Sequence, residues 1–550
     1  MFEFSIYTYV GFRGLFKVIS HLFFREIKIT DIHNVPTSDP CIFIVGPHAN
    51  QFIDGIVYMN VNPRPSYALM ADVSYQKPVI GHVGKILNAI PVVRPQDRIN
   101  LGTGKIKYHP PYQIEGQDTK FLTEVNVRDF ILFGKNDDKV HVGRIISDTL
   151  LEITHAIDND DAPFSSFKIV PHLDQTVVYD EVYHHLNNQK CITIFPEGGS
   201  HDRSEMLPLK AGFAIMALGT LAANPTLNLK IVPVGLNYFH PDRFRSRAVV
   251  SFGKPISIQP SEVENYNLGG QHKREAITKL LDQSDKAFKA ITLNTPDYDT
   301  LMIIQTVRRL YKTKRNTSTS IDQVVQLNRL FIHLWPRLSK NDPVHFQVII
   351  QKVKQYNSML RFFGIRDHQV EKLNMTAMEG FVELFKRIIK LTVMIGLGTP
   401  TLISNLPLIW ITNYISKRKQ REALANSSVK LSGKDVLASW KVIVVAFAAP
   451  TLYAFYAFIY FLYLFKRRSR VTTTLRTKLI RSGIVWVIQP ILHYLLMRLG
   501  DTGLDIYNSI NPLILAMRNP EAGEIIRSMR KELSEDITEF VNKYAPEELE

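Results

Sequence analysis

Short apolar runs alternate with helix-like segments in two stretches of the chain, about residues 40–100 and 190–256. In the first stretch, CIFIV and SYALMAD are typical of strands, and QKPVIGHVGKILNAI is typical of a helix. In the second stretch, CITIF, IVPVGLNY and AVVSFGKPI are typical of strands, and LPLKAGFAIMALGTLAA is typical of a helix. Because strands that alternate with helices are typical of α/β proteins, the pattern predicts an α/β fold.

Residues 102–160 have a different pattern. Apolar residues recur with period two between turns rich in Gly, Asn and Asp, which predicts a small β-rich insertion in the α/β domain. The tetrapeptide GTGK within it lacks the earlier glycine and the following Ser or Thr of a phosphate-binding loop. A turn is therefore predicted there.

The N-terminal segment, residues 4–28, is apolar but carries regularly spaced basic residues: Arg13, Lys17, His21 and Arg25. On a helix this four-residue spacing forms a polar stripe beside an apolar face that includes Leu15, Ile19 and Phe23. We therefore predict an amphipathic helix that lies on the membrane surface. The alternative is a helix that packs on the core of the soluble domain.

Three apolar stretches follow a polar helical region in the last third of the chain. They cover residues 388–416, 442–465 and 483–497. The first two are long enough to span a bilayer, and the third is marginal. Each contains a proline, so hairpins that enter and leave one leaflet are an alternative to complete spans.

Together these patterns predict segments of different character. In chain order they are a membrane-surface helix (1–30), an α/β domain (31–101 and 161–270), the β-rich insertion (102–160), a helical region (271–385), membrane-embedded segments (386–500) and a helical tail (501–550).

The net charge of +15 favours an anionic partner. Basic runs at residues 416–421 and 466–470 directly follow apolar stretches, as juxtamembrane flanks do. No nucleic-acid-reading motif is present, so the charge predicts a membrane partner. Cys41 and Cys191 each begin a predicted strand, which favours buried thiols in a reducing, cytosol-facing domain over a disulfide or a zinc site. No cleaved signal peptide is expected.

A cluster of polar residues follows the first predicted strand at once: His48, Asn50, Gln51 and Asp54. The cluster has two interpretations. It is ordinary loop polarity, or it is a base with the carboxylate that orients it.

Four segments resemble, in order, the sequence blocks of the glycerolipid acyltransferase superfamily. The turn from His48 to Asp54 resembles the first block, and IPVVRP, an apolar run with a following arginine, resembles the second. FPEGG followed by a Lys-x-Gly pair resembles the third, and IVPVGLNY with its central proline resembles the fourth. The resemblance covers about residues 40–100 and 160–260. It implies the fold of that superfamily, a mixed sheet flanked by helices.

A narrower resemblance is to the fungal-type glycerol-3-phosphate/dihydroxyacetone-phosphate acyltransferases, carried by GPHANQFID, FPEGGSHDRS, the insertion and the trailing apolar segments. It implies transfer of a fatty acyl group from acyl-coenzyme A to the sn-1 hydroxyl of glycerol-3-phosphate, with dihydroxyacetone phosphate as a second acceptor. It also implies an endoplasmic reticulum membrane location with the catalytic domain facing the cytosol. Acyl-CoA would be a co-substrate, membrane lipids would be partners, and no cofactor or metal is expected.

The resemblance also implies residue roles, with His48 and Asp54 catalytic. The residues implied to bind the substrates are Arg94, Glu197, Gly198, Gly199, Ser200, Arg203, Lys210 and Pro233. Because arginine binds phosphate through two parallel hydrogen bonds, Arg94 is the first candidate for the acceptor's phosphate, followed by Lys210 and Arg203. Glu197 has a second interpretation, since a carboxylate also favours the positive end of a following helix.

Two positions depart from the family pattern. Five residues separate His48 from Asp54, one more than in the family's first block. Since one residue turns a helical side chain by about 100°, either the loop bulges or Asn50 or Gln51 replaces Asp54. We predict the bulge, with an imidazole nitrogen about 2.6–3.2 Å from the Asp54 carboxylate. In the third block, GGSHD occupies the usual place of an arginine, and Arg203 comes later.

The residues also predict a mechanism. A histidine has a pKa suited to taking the acceptor's hydroxyl proton, and a carboxylate behind it stabilises the imidazolium. The chain has no G-x-S-x-G motif, so direct attack by the acceptor is simpler than a covalent intermediate. The amides of Gly198 and Gly199 are candidate donors to the tetrahedral oxyanion. Two alternatives stay open: a lysophospholipid acyltransferase of the same superfamily, and a catalytically silent lipid-binding scaffold.

Overall fold

The computed structural model describes residues 6–134, 138–156, 164–203, 206–239, 244–292, 298–311, 321–367, 369–370, 377–425, 430–466, 474–518 and 520–544. The strands are β1 (Phe24–Thr30), β2 (Cys41–Gly46), β3 (Ser66–Ala71), β4 (Ile90–Val92), β5 (Asn100–Leu101), β6 (Lys105–His109), β7 (Gln113–Gln117), β8 (Phe130–Phe133), β9 (Asp138–Ser147), β10 (Leu150–Ile153), β11 (Phe167–Val170), β12 (Cys191–Ile194), β13 (Lys230–Tyr238), β14 (Ser246–Phe252) and β15 (Ile256–Ser257). The helices are α1 (Ile6–Phe23), α2 (Phe52–Val61), α3 (Asp72–Tyr75), α4 (Pro78–Ile86), α5 (Phe121–Glu124), α6 (Thr176–Asn187), α7 (Gly212–Ala223), α8 (Pro260–Leu268), α9 (Gly270–Ile291), α10 (Tyr298–Leu310), α11 (Ile321–Asn341), α12 (Pro343–Phe362), α13 (Ala377–Ala425), α14 (Lys434–Lys466), α15 (Leu475–Asn508), α16 (Ile510–Arg518) and α17 (Pro520–Tyr544). Residues 467–470 of the second basic run lie outside the described residues.

The first sheet has eight strands in the order β1-β14-β13-β2-β12-β3-β4, with β15 paired to β13. The central strands are parallel to one another, whereas β14 is antiparallel to β13. The predicted fold class, a mixed sheet flanked by helices, is confirmed. Since β4, β3, β12, β2 and β13 are parallel, their carboxyl ends meet at one edge of the sheet.

Strand β2 lies at the centre of this sheet and is buried along its whole length. Its side chains alternate between two cores. Ile42 and Ile44 pack with α7 and α9 on one face, and Phe43 and Val45 pack with α2 on the other. A strand covered on both faces is apolar at successive positions, which explains the run CIFIV.

The N-terminal segment is a helix followed by a strand. Residues 24–30 form β1, which pairs in parallel with β14. Helix α1 packs on α2 through Tyr9, Phe16 and Ile19, and Phe23 is buried in the core of the sheet. Ile19 and Phe23 therefore do not belong to a membrane-facing surface, contrary to the sequence interpretation. The apolar residues of α1 that are exposed, by 41% to 60%, are Val10, Leu15, Val18 and Leu22.

The insertion is a seven-stranded sheet in the order β5-β11-β8-β9-β10-β7-β6. Its apolar side chains, Tyr108, Phe121 and Ile131 among them, form a core of their own. Strand β11 pairs with β5 and β8, so this sheet extends past residue 160, where the sequence interpretation ends the insertion. The local sequence does not reveal that the short strand β11 belongs to the insertion, because its partner strands β5 and β8 are distant in sequence.

A separate helical core joins α10, α11 and α12 to α17. The segment predicted as a C-terminal tail is therefore part of the helical region, to which Ile526, Leu533 and Ile537 contribute buried side chains. Helix α9 is assigned to the same region by the sequence interpretation, but it packs on the first sheet through Leu280 and Phe288.

Among the described residues, three helices are long and apolar enough to cross a membrane. They cover Met378–Ala425, Lys434–Lys466 and Leu475–Tyr507. Large apolar side chains on them are exposed, for example Trp410 at 68% and Phe458 at 56%. Exposed apolar surface of this extent indicates that the chain associates with a membrane.

Candidate active site

Four functional candidates lie where strands of the first sheet end. His48 follows β2, Glu197 follows β12, Arg94 follows β4, and Tyr238 is the last residue of β13. These strands are parallel, so the turns after them occupy one edge of the sheet. Ligands of open α/β sheets bind at this edge.

His48 and Asp54 form a hydrogen-bonded pair. The His48 Nδ1 atom lies 2.8 Å from Asp54 Oδ2, so the predicted contact is present. The Asp54 side chain is fully buried, whereas 15% of the His48 side chain is exposed. A buried carboxylate at this distance fixes the ring orientation and favours the tautomer with the proton on Nδ1.

The Asp54 carboxylate accepts two further hydrogen bonds. The backbone N–H of Asn50 donates to Oδ2 at 2.8 Å, and the Tyr238 hydroxyl donates to Oδ1 at 2.6 Å. Burial raises the pKa of Tyr238 well above its usual value, and the Asp54 charge raises it further. Tyr238 therefore remains a proton donor, and these bonds satisfy the buried charge of Asp54.

The second ring nitrogen of His48, Nε2, has no hydrogen-bond partner among the described residues. The ring stacks on Phe195, with the ring centroids 4.3 Å apart. The imidazole is thus held by Asp54 and Phe195, while Nε2 is available to accept a proton from a bound hydroxyl.

The turn before α2 accommodates the additional residue at Gln51. The Gln51 backbone has φ 45° and ψ −113°, a conformation that non-glycine residues seldom adopt. The backbone of the next turn then brings Asp54 to His48. Asn50 is buried, and none of the hydrogen bonds of Asp54 or His48 involves the Asn50 or Gln51 side chain. Neither side chain replaces Asp54.

The Glu197 side chain is buried and connects two loops, so it is not exposed to substrate. Its Oε1 accepts the His48 backbone N–H at 2.7 Å. Its Oε2 lies 2.5 Å from His201 Nε2 and accepts the Leu207 N–H at 2.9 Å. Both oxygens are occupied by protein groups, so the structure corrects the substrate-binding role implied for Glu197. Its carboxylate instead positions the His48 backbone.

Arg94 and Lys210 both contact Gly198. Arg94 Nη1 donates to the Gly198 carbonyl at 2.6 Å, and Arg94 also binds both carboxylate oxygens of Asp97, at 2.6 and 2.8 Å. Burial lowers the pKa of Lys210, and the nearby Arg94 charge lowers it further. Two cations therefore lie close together beside the loop that follows β12, as an anion-binding site requires.

Gly198 and Gly199 differ in whether the backbone N–H is already hydrogen-bonded within the protein. The Gly198 N–H donates to the Phe195 carbonyl at 3.1 Å, so it is not available to an oxyanion as the sequence suggests. Gly198 has φ 74°, and a side chain there would meet the Lys210 ammonium at 2.8 Å, which explains the need for glycine. The Gly199 N–H has no such partner in the described part of the chain, and a Cβ added at Gly199 would meet no atom within 4 Å.

Of three other predicted substrate-binding residues, two are turned away from substrate and one is exposed on a loop. Ser200 is buried, and its hydroxyl donates to Asp435 at 2.7 Å. Pro233 is buried inside β13 opposite Ile44, where a central sheet position leaves no access to substrate. Arg203 is exposed on the following loop, and its backbone N–H donates to His201.

Sequence reasoning missed Tyr238, Asp97 and His201 as parts of the site. Tyr238 ends the fourth block, and Asp97 follows Arg94 by three residues. The only feature of the sequence that could have indicated Tyr238 as a site residue is its place at the end of a central strand. The other two contacts depend on how the loops fold and leave no sequence pattern.

Comparisons with known proteins give sequence matches over nearly the whole chain. The model of the acyltransferase family matches residues 167–237, and the model of the glycerol-3-phosphate acyltransferase 2 C-terminal domain matches residues 303–549. The chain is similar to two proteins of Saccharomyces cerevisiae. It is 36% identical to glycerol-3-phosphate O-acyltransferase 1, over 96% of this chain and 70% of that protein. It is 32% identical to glycerol-3-phosphate O-acyltransferase 2, over 97% of this chain and 76% of that protein.

A third relative is an uncharacterized acyltransferase of Schizosaccharomyces pombe, 39% identical over 97% of this chain and 80% of that protein. Among solved structures, the 1-acyl-sn-glycerophosphate acyltransferase of Thermotoga maritima matches 51% of this chain and 80% of that one. The match has 11% identity and a TM-score of 0.27.

Proposed function

Since the chain is an acyltransferase and belongs to the family of the Saccharomyces cerevisiae glycerol-3-phosphate O-acyltransferases, we propose that it transfers a fatty acyl group from acyl-CoA to the sn-1 hydroxyl of glycerol-3-phosphate. The observation that carries the proposal is the His48–Asp54 pair, 2.8 Å apart, with the second ring nitrogen available to an acceptor hydroxyl. A paired base of this kind serves acyl transfer to an alcohol.

The reaction proceeds by direct attack. His48 Nε2 takes the proton from the sn-1 hydroxyl, whose oxygen attacks the thioester carbonyl of acyl-CoA. The Gly199 N–H donates to the resulting oxyanion. The C–S bond then breaks, and the imidazolium of His48 returns its proton to the coenzyme A thiolate. The products are 1-acyl-glycerol-3-phosphate and free coenzyme A.

The phosphate of the acceptor binds Arg94 and Lys210. Arg94 uses three of its N–H bonds on Asp97 and Gly198, which leaves two for a phosphate. Lys210 adds a second charge beside the same loop. Dihydroxyacetone phosphate carries the same phosphate and a primary hydroxyl, so the same groups serve it as a second acceptor.

The rival proposal is a lysophospholipid acceptor, and one assay separates the two. Purified full-length protein receives labelled acyl-CoA and, in parallel, glycerol-3-phosphate, dihydroxyacetone phosphate or lysophosphatidic acid. We expect the highest kcat/KM with glycerol-3-phosphate. A higher kcat/KM with lysophosphatidic acid would replace the proposal by its rival, and no transfer to any acceptor would indicate a silent scaffold.

Arg94→Ala is expected to raise the KM for glycerol-3-phosphate by about tenfold or more, because a hydrogen bond to a charged group contributes about 1.5–3 kcal/mol. The KM for acyl-CoA should change little. Initial rates with each substrate varied in turn measure both constants. The matched control is Asp97→Asn, which weakens the Asp97 contact but keeps the Arg94 charge. Equal increases in both KM values would show that Arg94 only holds the loop at Gly198.

We further propose that the enzyme resides in the endoplasmic reticulum membrane with its acyltransferase domain facing the cytosol. The buried free thiols of Cys41 and Cys191 suit a reducing compartment. The C-terminal end of α1 lies near α15, since Arg245 donates to the His21 carbonyl at 2.8 Å and pairs with Asp501 of α15 at 2.9 Å. Arg25, in β1 directly after α1, pairs with Asp505 of α15 at 3.2 Å. The exposed residues Leu15, Val18 and Leu22 of α1 form the apolar face that would enter the membrane surface.

Acyl-chain nitroxide lipids are expected to quench a fluorophore at Val18→Cys in the reconstituted protein. The reason is that Val18 lies on the exposed apolar face of α1 and is 57% exposed. The control is Glu264→Cys, an exposed position on α8 of the acyltransferase domain. If quenching at residue 18 does not exceed quenching at residue 264, α1 does not enter the lipid.

A further inference from the structure

The connection between two membrane helices contacts both loops of the candidate active site. We use the term junction segment for residues 430–439, which include the end of the α13–α14 connection and the first turn of α14. Its residue Ala438 is fully buried in the core of the first sheet, together with Phe43 and Val57. The start of α14 is therefore packed as part of the acyltransferase domain.

Asp202, in the loop that follows β12, is bound by the junction segment. Its carboxylate accepts the backbone N–H groups of Leu431 at 2.7 Å, Ser432 at 2.8 Å and Lys434 at 3.4 Å. The Ser432 hydroxyl donates to the same group. Burial opposes ionisation of Asp202, but these hydrogen bonds outweigh it and lower its pKa to about 2. The loop is thus held by a carboxylate that stays ionised near neutral pH.

Ser200 provides a second connection in the same loop. Its hydroxyl donates to the buried Asp435 carboxylate at 2.7 Å. The Lys430 ammonium donates to the Ser200 carbonyl at 2.7 Å and also contacts Asp435. A lysine, a carboxylate and a hydroxyl thereby fix the backbone directly after Gly199, whose N–H is the donor to the oxyanion in the proposed mechanism.

Ser439 connects the junction segment to the other loop. Its hydroxyl donates to the Asn50 carbonyl at 2.6 Å and accepts the Ile53 N–H at 3.3 Å. Asn50 and Ile53 lie between His48 and Asp54. One buried hydroxyl thus spans the turn that brings the base and its carboxylate together.

We propose that the junction segment positions the reacting groups, with Asp202, Ser432 and Ser439 acting as positioning residues for His48 and the Gly199 amide. The inference rests on the proposed acyl transfer. On this proposal, α13 and α14 anchor the protein in the membrane and also help to position the catalytic groups. Small displacements of reacting groups lower kcat strongly, by about a hundredfold for roughly 1 Å.

The test compares variants of the full-length protein in lipid nanodiscs. Asp202→Ala removes all four bonds to the junction segment, Asp202→Asn keeps an acceptor of the same size, and Ser439→Ala removes the link to the His48 turn. We expect kcat to fall by about tenfold to a hundredfold for Asp202→Ala and less for Asp202→Asn and Ser439→Ala, with both KM values within about threefold of wild type.

The matched control is Asp501→Ala. Asp501, on α15, pairs with Arg245 at 2.9 Å, and both side chains are largely buried. This pair also joins a membrane helix to the acyltransferase domain, but among the described residues it makes no hydrogen bond with either catalytic loop. Its loss should leave kcat unchanged. An equal fall in kcat for Asp501→Ala would show that the junction segment only attaches the domain to the membrane, and the inference would fail.

Hydrogen exchange gives a readout that does not depend on the substrate. In Asp202→Ala and in the milder Ser432→Ala, amides of residues 197–203 should exchange faster than in wild type, and they should not in Asp501→Ala. If wild type fails to acylate glycerol-3-phosphate while exchange responds as expected, the proposed function fails and the positioning survives. Unchanged exchange in both variants overturns the positioning, whatever the acceptor.

Discussion

His48→Ala is expected to lower kcat by about 10²–10⁴-fold, because a positioned general base contributes a factor of that size. His48 Nε2 is the proton acceptor in the proposed mechanism, and alanine leaves no group that can replace it. The backbone contacts of residue 48 with Glu197 and His201 do not need the imidazole. The loop should therefore keep its course, and the KM values should change much less than kcat.

The comparison variant is His184→Ala, at an exposed position on α6. It removes an imidazole of the same kind far from the carboxyl edge of the sheet, so activity should be retained. Circular dichroism and membrane sedimentation establish that both variants fold and insert. A folded His48→Ala enzyme with wild-type kcat would remove His48 from the mechanism.

Asp54→Asn is expected to lower kcat by about 10²–10⁴-fold, as His48→Ala does, because the amide cannot stabilise the imidazolium. Asp54 accepts hydrogen bonds from His48, Asn50 and Tyr238. An asparagine has one acceptor oxygen and one NH₂ group, so at least one of these donors would face another donor. Asp54→Asn therefore no longer fixes the His48 proton on Nδ1, and it also disturbs the hydrogen bonds that order the turn.

Two milder variants make the Asp54 prediction specific. Tyr238→Phe removes one donor and keeps the carboxylate, so kcat should fall by about tenfold. Gln51→Ala removes a side chain that is not hydrogen-bonded to the pair and should have a small effect. Steady-state kinetics of the three variants should rank the losses as Asp54→Asn, Tyr238→Phe and Gln51→Ala. A larger loss for Gln51→Ala than for Asp54→Asn would reverse the assignment of the carboxylate.

The sequence predicts the central strands from local patterns, whereas the His48–Asp54 pair follows from the resemblance to the superfamily. β2 is apolar at successive positions, and β12 is apolar apart from Thr193, since both strands are buried on both faces. The bulge arises at Gln51, whose backbone has the unusual conformation. A strained non-glycine residue is held by its surroundings, which local sequence does not reveal.

The remaining differences come from long-range contacts. Glu197 looks like a ligand residue, but three protein donors occupy its carboxylate. Ser200 follows Gly198 and Gly199, yet its partner Asp435 is more than two hundred residues away. Strand β1 is not predicted from the sequence, because it lies within an apolar amphipathic segment and its partner strand β14 begins only at Ser246. Such pairings are set by tertiary packing, for which spacing along the chain gives no signal.

The chemical identity of the product tests the central claim most directly. Full-length protein in nanodiscs is incubated with labelled acyl-CoA and glycerol-3-phosphate, and the acyl position is determined by mass spectrometry. The account predicts 1-acyl-glycerol-3-phosphate from the wild type and almost none from folded His48→Ala. Acylation at the sn-2 hydroxyl, or equal amounts of product from both proteins, would contradict it.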